Sequence, residues 1–331
     1  MSDQAFLRSG GVISIGSLPH RDADAAAEFV LKQSPEVPAA PQLPRRSALE
    51  GMVAQAARGI TGVSVDRAGN LAVDVDALDV DAPVTPMFDG AGHGGLLAFL
   101  THAHGRTEPV KIQLTGPVTL GCALRTAGAP DDLAFAIAAN AVRAQGKALV
   151  ELVKHRLPDA PVIAFLDEPS LTAVPLDPDA IIDLLSTGLA AIEGVAVTGV
   201  HCCAPTDLRL VSAAGPDIIA IPAEPEHVLP GANVITSHLE RGGWVAWGAI
   251  PTSKPLGTDA DRLWRKLSIL WCDLVEGGAD PAVLRAQALV SPACGLAGHG
   301  VSQAARALRM TRTLSDKVAD QAAATRLTVG A

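Results

Sequence analysis

Residues 161–170 read Pro-Val-Ile-Ala-Phe-Leu-Asp-Glu-Pro-Ser. Five apolar residues run without a polar break and then meet two carboxylates and a proline. A continuous apolar run of this length is the pattern of a strand buried on both faces of a parallel sheet. Seven further stretches have the same character, at 12–18, 37–43, 110–115, 195–201, 217–221, 243–250 and 288–291. Ala/Leu-rich stretches with helix-start signals lie between them and predict helices over 22–33, 131–155, 178–192, 206–214, 258–276 and 302–317. Residues 59–78 depart from this rhythm. They alternate polar and apolar around Ala68-Gly69-Asn70, which predicts an inserted β-hairpin. Eight strands alternating with helices predict a single α/β domain over 1–331, a (β/α)8 barrel, with 318–331 as a flexible tail. A doubly wound sheet is the rival, although no G-x-G-x-x-G follows the first run.

Composition narrows the function classes. The chain has 331 residues, 48% hydrophobic and 18% charged, with a net charge of −9. That balance forms a core, and an acidic chain without a Lys/Arg run is a poor partner for nucleic acid or an anionic membrane surface. Aromatics make up 3%, with no Tyr, which removes Tyr as a general acid and argues against base-stacking platforms. The first ten residues lack the basic and apolar regions of a secretory signal, and every membrane-length window is broken by charge, Pro or Gly. A cytoplasmic protein is expected. Five Cys in such a setting suggest metal binding or catalysis before disulfides.

In a barrel the active site lies where strands end. The first run ends in Gly16-Ser17-Leu18-Pro19-His20, the second in Gln42-Leu43-Pro44 and the third in Thr115-Gly116-Pro117. The fourth ends in Asp167-Glu168-Pro169, the fifth in His201-Cys202-Cys203, the sixth near Glu224 and the eighth in Cys294-Gly295. Imidazole and thiolates are zinc ligands, so His201, Cys203 and Cys294 form a candidate zinc site spanning the barrel mouth. Glu224 is the best protein candidate for a fourth ligand; water or substrate could hold that position instead. Cys202 should point away, and Cys122 and Cys272 read as core residues. Asp167 and Glu168 suit an ammonium group or acid–base work, or else cap a helix. His93, His102 and His104 surround a Gly-rich loop and a helix and are not read as a second metal site. Glu151, Lys154 and Arg156 read as a solvated helix face.

Taken in order, these motifs resemble the C-terminal catalytic barrel of cobalamin-independent methionine synthase, in the superfamily shared with uroporphyrinogen decarboxylase and corrinoid-dependent methyltransferases. Ile15-Gly16-Ser17-Leu18-Pro19, residues 114–119 (Leu-Thr-Gly-Pro-Val-Thr), Asp167-Glu168-Pro169, His201-Cys202-Cys203 and residues 291–296 (Ser-Pro-Ala-Cys-Gly-Leu) are similar to the family's ordered segments. The resemblance implies that His201, Cys203 and Cys294 bind a zinc ion that receives the homocysteine thiol. It also implies that Ile15 and Ser17 touch the substrate carboxylate and that Asp167 holds its ammonium.

Three departures stand out. The family's fourth ligand, a Glu, aligns ungapped with Pro222 and reaches Glu224 only by a shift of two. A Glu that helps bind the ammonium appears as Gln42. The aromatic that stacks the folate donor appears as Ala123. Short, barrel-only members take methyl groups from a corrinoid, often on a partner protein. The expectation is therefore a zinc-dependent thiol methyltransferase, making methionine from homocysteine with a methyl-corrinoid rather than methyl-folate. The alternatives are a methyltransferase for another small thiol, a decarboxylase-like relative, or a non-catalytic barrel serving as a binding partner.

Overall fold

The computed structural model describes residues 4–253, 256–257 and 259–329. Its centre is a six-stranded parallel sheet whose strand order follows the chain, β3-β4-β5-β6-β7-β8. These strands are β3 (Val110–Thr115), β4 (Val162–Asp167), β5 (Val197–His201), β6 (Ile218–Pro222), β7 (Trp244–Ile250) and β8 (Ala288–Pro292). All residues of β3, β4, β5, β6 and β8 are buried, as expected for strands covered on both faces. The inserted hairpin is also present: β1 (Val63–Val65) pairs antiparallel with β2 (Leu71–Val73). The Asp66 carboxylate accepts from the backbone N–H groups of Ala68 and Asn70 and so fixes its turn.

The first two apolar runs differ from the other six. They meet their neighbours through isolated parallel bridges, Val12 with Val290 of β8, Ser17 with Gln42, and Ala39 with Lys111 of β3. The reason is local. Gly16 has a φ of 134°, which breaks the extended conformation of the first run, and Pro38 and Pro41 remove ladder donors from the second.

The apolar residues segregate by the two-residue period of a strand. Val162, Ala164 and Leu166 join the large core between sheet and helices. Ile163 and Phe165 join a smaller core with Ile13, Val197, Ile218, Ala220, Ala246 and Leu289. Among the described residues, no fully buried member of this second core lies on a helix.

Helices α1 (Ala23–Gln33), α2 (Met52–Ala57), α3 (Gly94–His102), α4 (Pro117–Thr126), α5 (Asp131–Arg156), α6 (Pro178–Ala190), α7 (Leu208–Ala213), α8 (Pro225–Val228), α9 (Ala232–Glu240), α10 (Ala260–Glu276), α11 (Pro281–Ala286) and α12 (Val301–Val329) accompany the sheet. Asp22, Asp207, Asp259 and Asp280 cap α1, α7, α10 and α11 with their side chains. The helix expected over 258–276 begins at Ala260, and Thr258 lies outside the described residues. The expected tail is a correction: α12 continues to Val329 instead of ending near Lys317. Its apolar stripe does not stop there, since Leu314, Val318 and Ala322 recur every four residues and are all buried. Residues 330–331 lie outside the described part. No helix among the described residues is long and apolar enough to cross a membrane.

Candidate metal centre

The register of the parallel ladder sets the chemistry-bearing strand ends side by side. Thr115 pairs with Asp167, and Asp167 pairs with His201. His201 pairs in turn with Ala220 of β6, and the Ala220 carbonyl lies 3.3 Å from His201 Nδ1. A carbonyl can only accept, so Nδ1 carries the proton and Nε2 keeps its lone pair. His201 Nε2 is buried and has no hydrogen-bond partner. An outer-shell carbonyl that fixes the tautomer in this way is the usual support of a metal-binding imidazole.

Beyond β5 the Cys202 N–H still donates to Ala220 O at 3.0 Å. The Cys202 side chain falls into the large core, where burial pushes its thiol pKa up. Cys203 comes next and is half-buried. Cys294 follows β8, and the neighbouring chain is pinned by Ala293 N–H to Ile250 O (2.8 Å) and Leu296 N–H to Ser17 O (2.8 Å). One ligand atom each from His201, Cys203 and Cys294 lies within 4.8 Å of the other two. Cys203 and Cys294 shift each other's pKa in opposite directions. A hydrogen bond from Cys203, with help from His201, holds Cys294 well below the usual thiol range. Cys203 is pushed up, first by that same bond and then by burial. Both sulfurs could be thiolates at this separation only with a cation between them to offset their repulsion.

Asp167 and Glu168 are adjacent in sequence and opposite in role. Asp167 is buried, and its Oδ1 has no hydrogen-bond partner. Burial raises its pKa, against the pull of Lys111 and His201. Glu168 is fully buried and completely engaged. It accepts from Val118 N–H (2.9 Å), Thr119 N–H (2.8 Å) and the Thr119 hydroxyl (2.6 Å), at the first turn of α4. Gly116 lets this carboxylate approach, since a Cβ there would run into it. The Leu-Thr-Gly-Pro-Val-Thr segment and the Asp-Glu-Pro segment are thus two sides of one contact. Burial still pushes Glu168 up to about 7.

The remaining expected residues divide. Ser17 is tied by its carbonyl to Leu296 N–H, two residues past Cys294, and Ile15 is buried, with its carbonyl accepting from Lys111 Nζ at 2.5 Å. Gln42 is buried, but its amide donates to Gln55 Oε1 of α2 at 2.7 Å. Glu224 is not in the ligand cluster. β6 ends at Pro222, and Glu224 stands two residues on as the N-cap of α8. The His cluster does not form. His93 is largely buried against Phe88 and held down to about 4 by burial and Arg58, while His102 pairs with Asp24 at 3.0 Å. Cys272 is a correction: it is exposed on α10, not in the core, and Cys122 is half-buried, lining an open groove beside Ala123.

Sequence reasoning missed Lys111 and Gln113. The signal was available, since β3 reads Val-Lys-Ile-Gln-Leu-Thr with polar residues at every second position. Lys111 is fully buried, lies 4.7 Å from the centre of the Phe165 ring, and has its pKa lowered by burial to about 8.

No protein-family model matches the chain, and no curated protein matches it.

Proposed function

We propose that the protein is a zinc-dependent thiol methyltransferase on a (β/α)8 barrel, making methionine from homocysteine with a corrinoid-borne methyl group. One observation carries the reading: an imidazole nitrogen and two sulfurs converge within 4.8 Å at the ends of parallel strands, and the nitrogen is buried without a partner.

Barrel closure is supported in two ways. Parallel bridges link β8 to the first run, the first run to the second, and the second run to β3. The second core is built from strands and N-terminal segments, where a doubly wound sheet would need helices.

The donor set of one nitrogen and two sulfurs suits zinc. When bound, zinc would supply a substrate thiol held as thiolate at neutral pH, where a free alkyl thiol of pKa about 8.5 is only a few per cent ionised. The protein's residues do the rest. Cys203 and Cys294 offset the charge of a dication, so a third sulfur beside them keeps its electron density. Ala220 O holds His201 in the ligating tautomer. Asp167 presents a desolvated carboxylate that an ammonium group would pair, fixing the amino acid so that its sulfur meets the methyl group in line. Ser17, whose carbonyl is tied to Leu296 two residues past Cys294, would meet the carboxylate.

Ala123 supports the choice of donor. It lines an open groove of about 430 Å³ with Thr119, Cys122, Ser170 and the hairpin residues Asn70 and Leu71. Among the described residues no aromatic side chain lines this groove, so a pterin would lack a stacking surface. The test is methyl transfer by zinc-loaded protein to homocysteine from methyl-corrinoid and from methyl-folate, assayed separately. Methionine is expected from the corrinoid alone. Efficient transfer from methyl-folate would overturn the donor, and transfer from neither would overturn the activity.

A further inference from the structure

Burying a lysine in a barrel interior is costly unless its protons are used, and a methionine would fill the same space. Lys111 uses two of them on oxygens. Its Nζ donates to Ile15 O at 2.5 Å and to Gln113 Oε1 at 3.2 Å. Gln113 Nε2 then donates to Ala40 O at 2.8 Å. The side-chain pair therefore grips both N-terminal runs at once, one at Ile15 and the other at Ala40. These are the two segments that the backbone ladder holds only through isolated bridges. The fit is close: Gly16 lies so near the Gln113 amide that a Cβ at position 16 would collide with it.

What the grip controls follows from the chain. Ser17 is two residues beyond Ile15, and Gln42 is two beyond Ala40. Asp167 and the metal-binding side chains sit on or just beyond strands of the regular ladder, so their backbone positions do not depend on this pair, although the Lys111 charge also favours the ionised form of Asp167. We infer that Lys111 and Gln113 are positioning residues that set the distance between Ser17 and Asp167, and so determine recognition of the amino-acid end of the substrate and not of its sulfur. The inference rests on the proposed thiol amino acid substrate. A clasp that served only stability would weaken every ligand alike through loss of folded protein. A clasp that sets Ser17 against Asp167 would weaken only ligands carrying the carboxylate and ammonium.

The experiment is calorimetric binding of two probes to zinc-loaded protein, homocysteine and 1-propanethiol, the same carbon–sulfur chain without the charged end. The readout is the ratio of their dissociation constants within one preparation, which does not depend on the fraction folded. Lys111→Met is expected to weaken homocysteine about 10-fold or more while leaving propanethiol within about 2-fold, with zinc content unchanged. Gln113→Leu breaks the grip on Ala40 but spares Lys111 to Ile15, and should shift the ratio in the same direction by less. It also serves as the test if Lys111→Met fails to fold. An unchanged ratio in Gln113→Leu would overturn the inference even if Lys111→Met shifts it, because only Gln113→Leu leaves the Lys111 charge on Asp167 in place. If the wild-type protein binds both thiols equally, or neither, the substrate reading itself falls and the inference falls with it.

Discussion

Between Val110 and Pro292 the strands form a continuous parallel ladder with one irregularity between Gly248 and Ile250, whereas the runs at 12–18 and 37–43 meet it through isolated bridges, a few backbone hydrogen bonds and side-chain hydrogen bonds. The ladder region supplies Asp167, His201, Cys203 and Cys294, at or just past its strand ends. The bridged region supplies Ile15, Ser17 and Gln42. Backbone pairing places a strand end within narrow limits whatever the side chains do. Side-chain grips can be altered one residue at a time. On the proposed reading, the metal ligands and the ammonium partner Asp167 sit on the rigid part, and the groups for the substrate carboxylate, Ile15 and Ser17, sit on the part that substitution can tune without disturbing the metal.

Glu168 offers the strongest challenge to the ladder side, because it joins β4 to the first turn of α4. Glu168→Gln keeps one acceptor oxygen but sets an NH2 group against the donors of the other, at least one of them a backbone N–H, and should cost about 3 kcal/mol of stability by denaturant titration. The pH dependence has a definite sign. Burial raises Glu168 from its ordinary 4.5 to about 7. The folded state therefore holds a proton that the unfolded chain releases first. The contribution of this group to wild-type stability is full below about 4.5 and is lost as pH rises through about 7. The variant lacks this loss, so its deficit should be larger at pH 5 than at pH 8.

Asp167→Asn separates its role from its neighbour's. The fold and metal content should persist, because Asp167 Oδ1 holds nothing in place. Methyl transfer to homocysteine should fall by about 100-fold through a raised KM and a misplaced sulfur. An equal loss with propanethiol would contradict a role in holding the ammonium.

Glu224→Ala should do least. With Glu224 capping α8 outside the cluster, zinc affinity should change by less than about 3-fold, below the 10-fold typical of a supporting partner. A larger loss in a competition titration with a chromophoric chelator would return Glu224 to the centre.

The ladder was legible in the sequence because a doubly buried strand needs an unbroken apolar run, and each such run stops at the residues that carry chemistry. His201, Cys203 and Cys294 could be picked out for that reason. The weaker pairing of the first two runs was legible only in part. Pro38 and Pro41 are visible, but the backbone at Gly16 turns on its packing against Gln113. The role of Lys111 was hidden by its neighbours, since a lysine within an apolar run reads as an interruption until its partners are known. Glu224 shows the limit of reading by strand ends. Two residues past Pro222 are enough for the chain to turn into a helix. In α12 the stripe of Leu314, Val318 and Ala322 was in plain view.

The central claim is that His201, Cys203 and Cys294 hold one metal ion. Elemental analysis of the purified protein beside Cys202→Ser, Cys203→Ser and Cys294→Ser tests it most directly. The account predicts about one zinc per chain in the wild type and in Cys202→Ser, and near-complete loss in the other two variants. Full zinc retention in both Cys203→Ser and Cys294→Ser would contradict it.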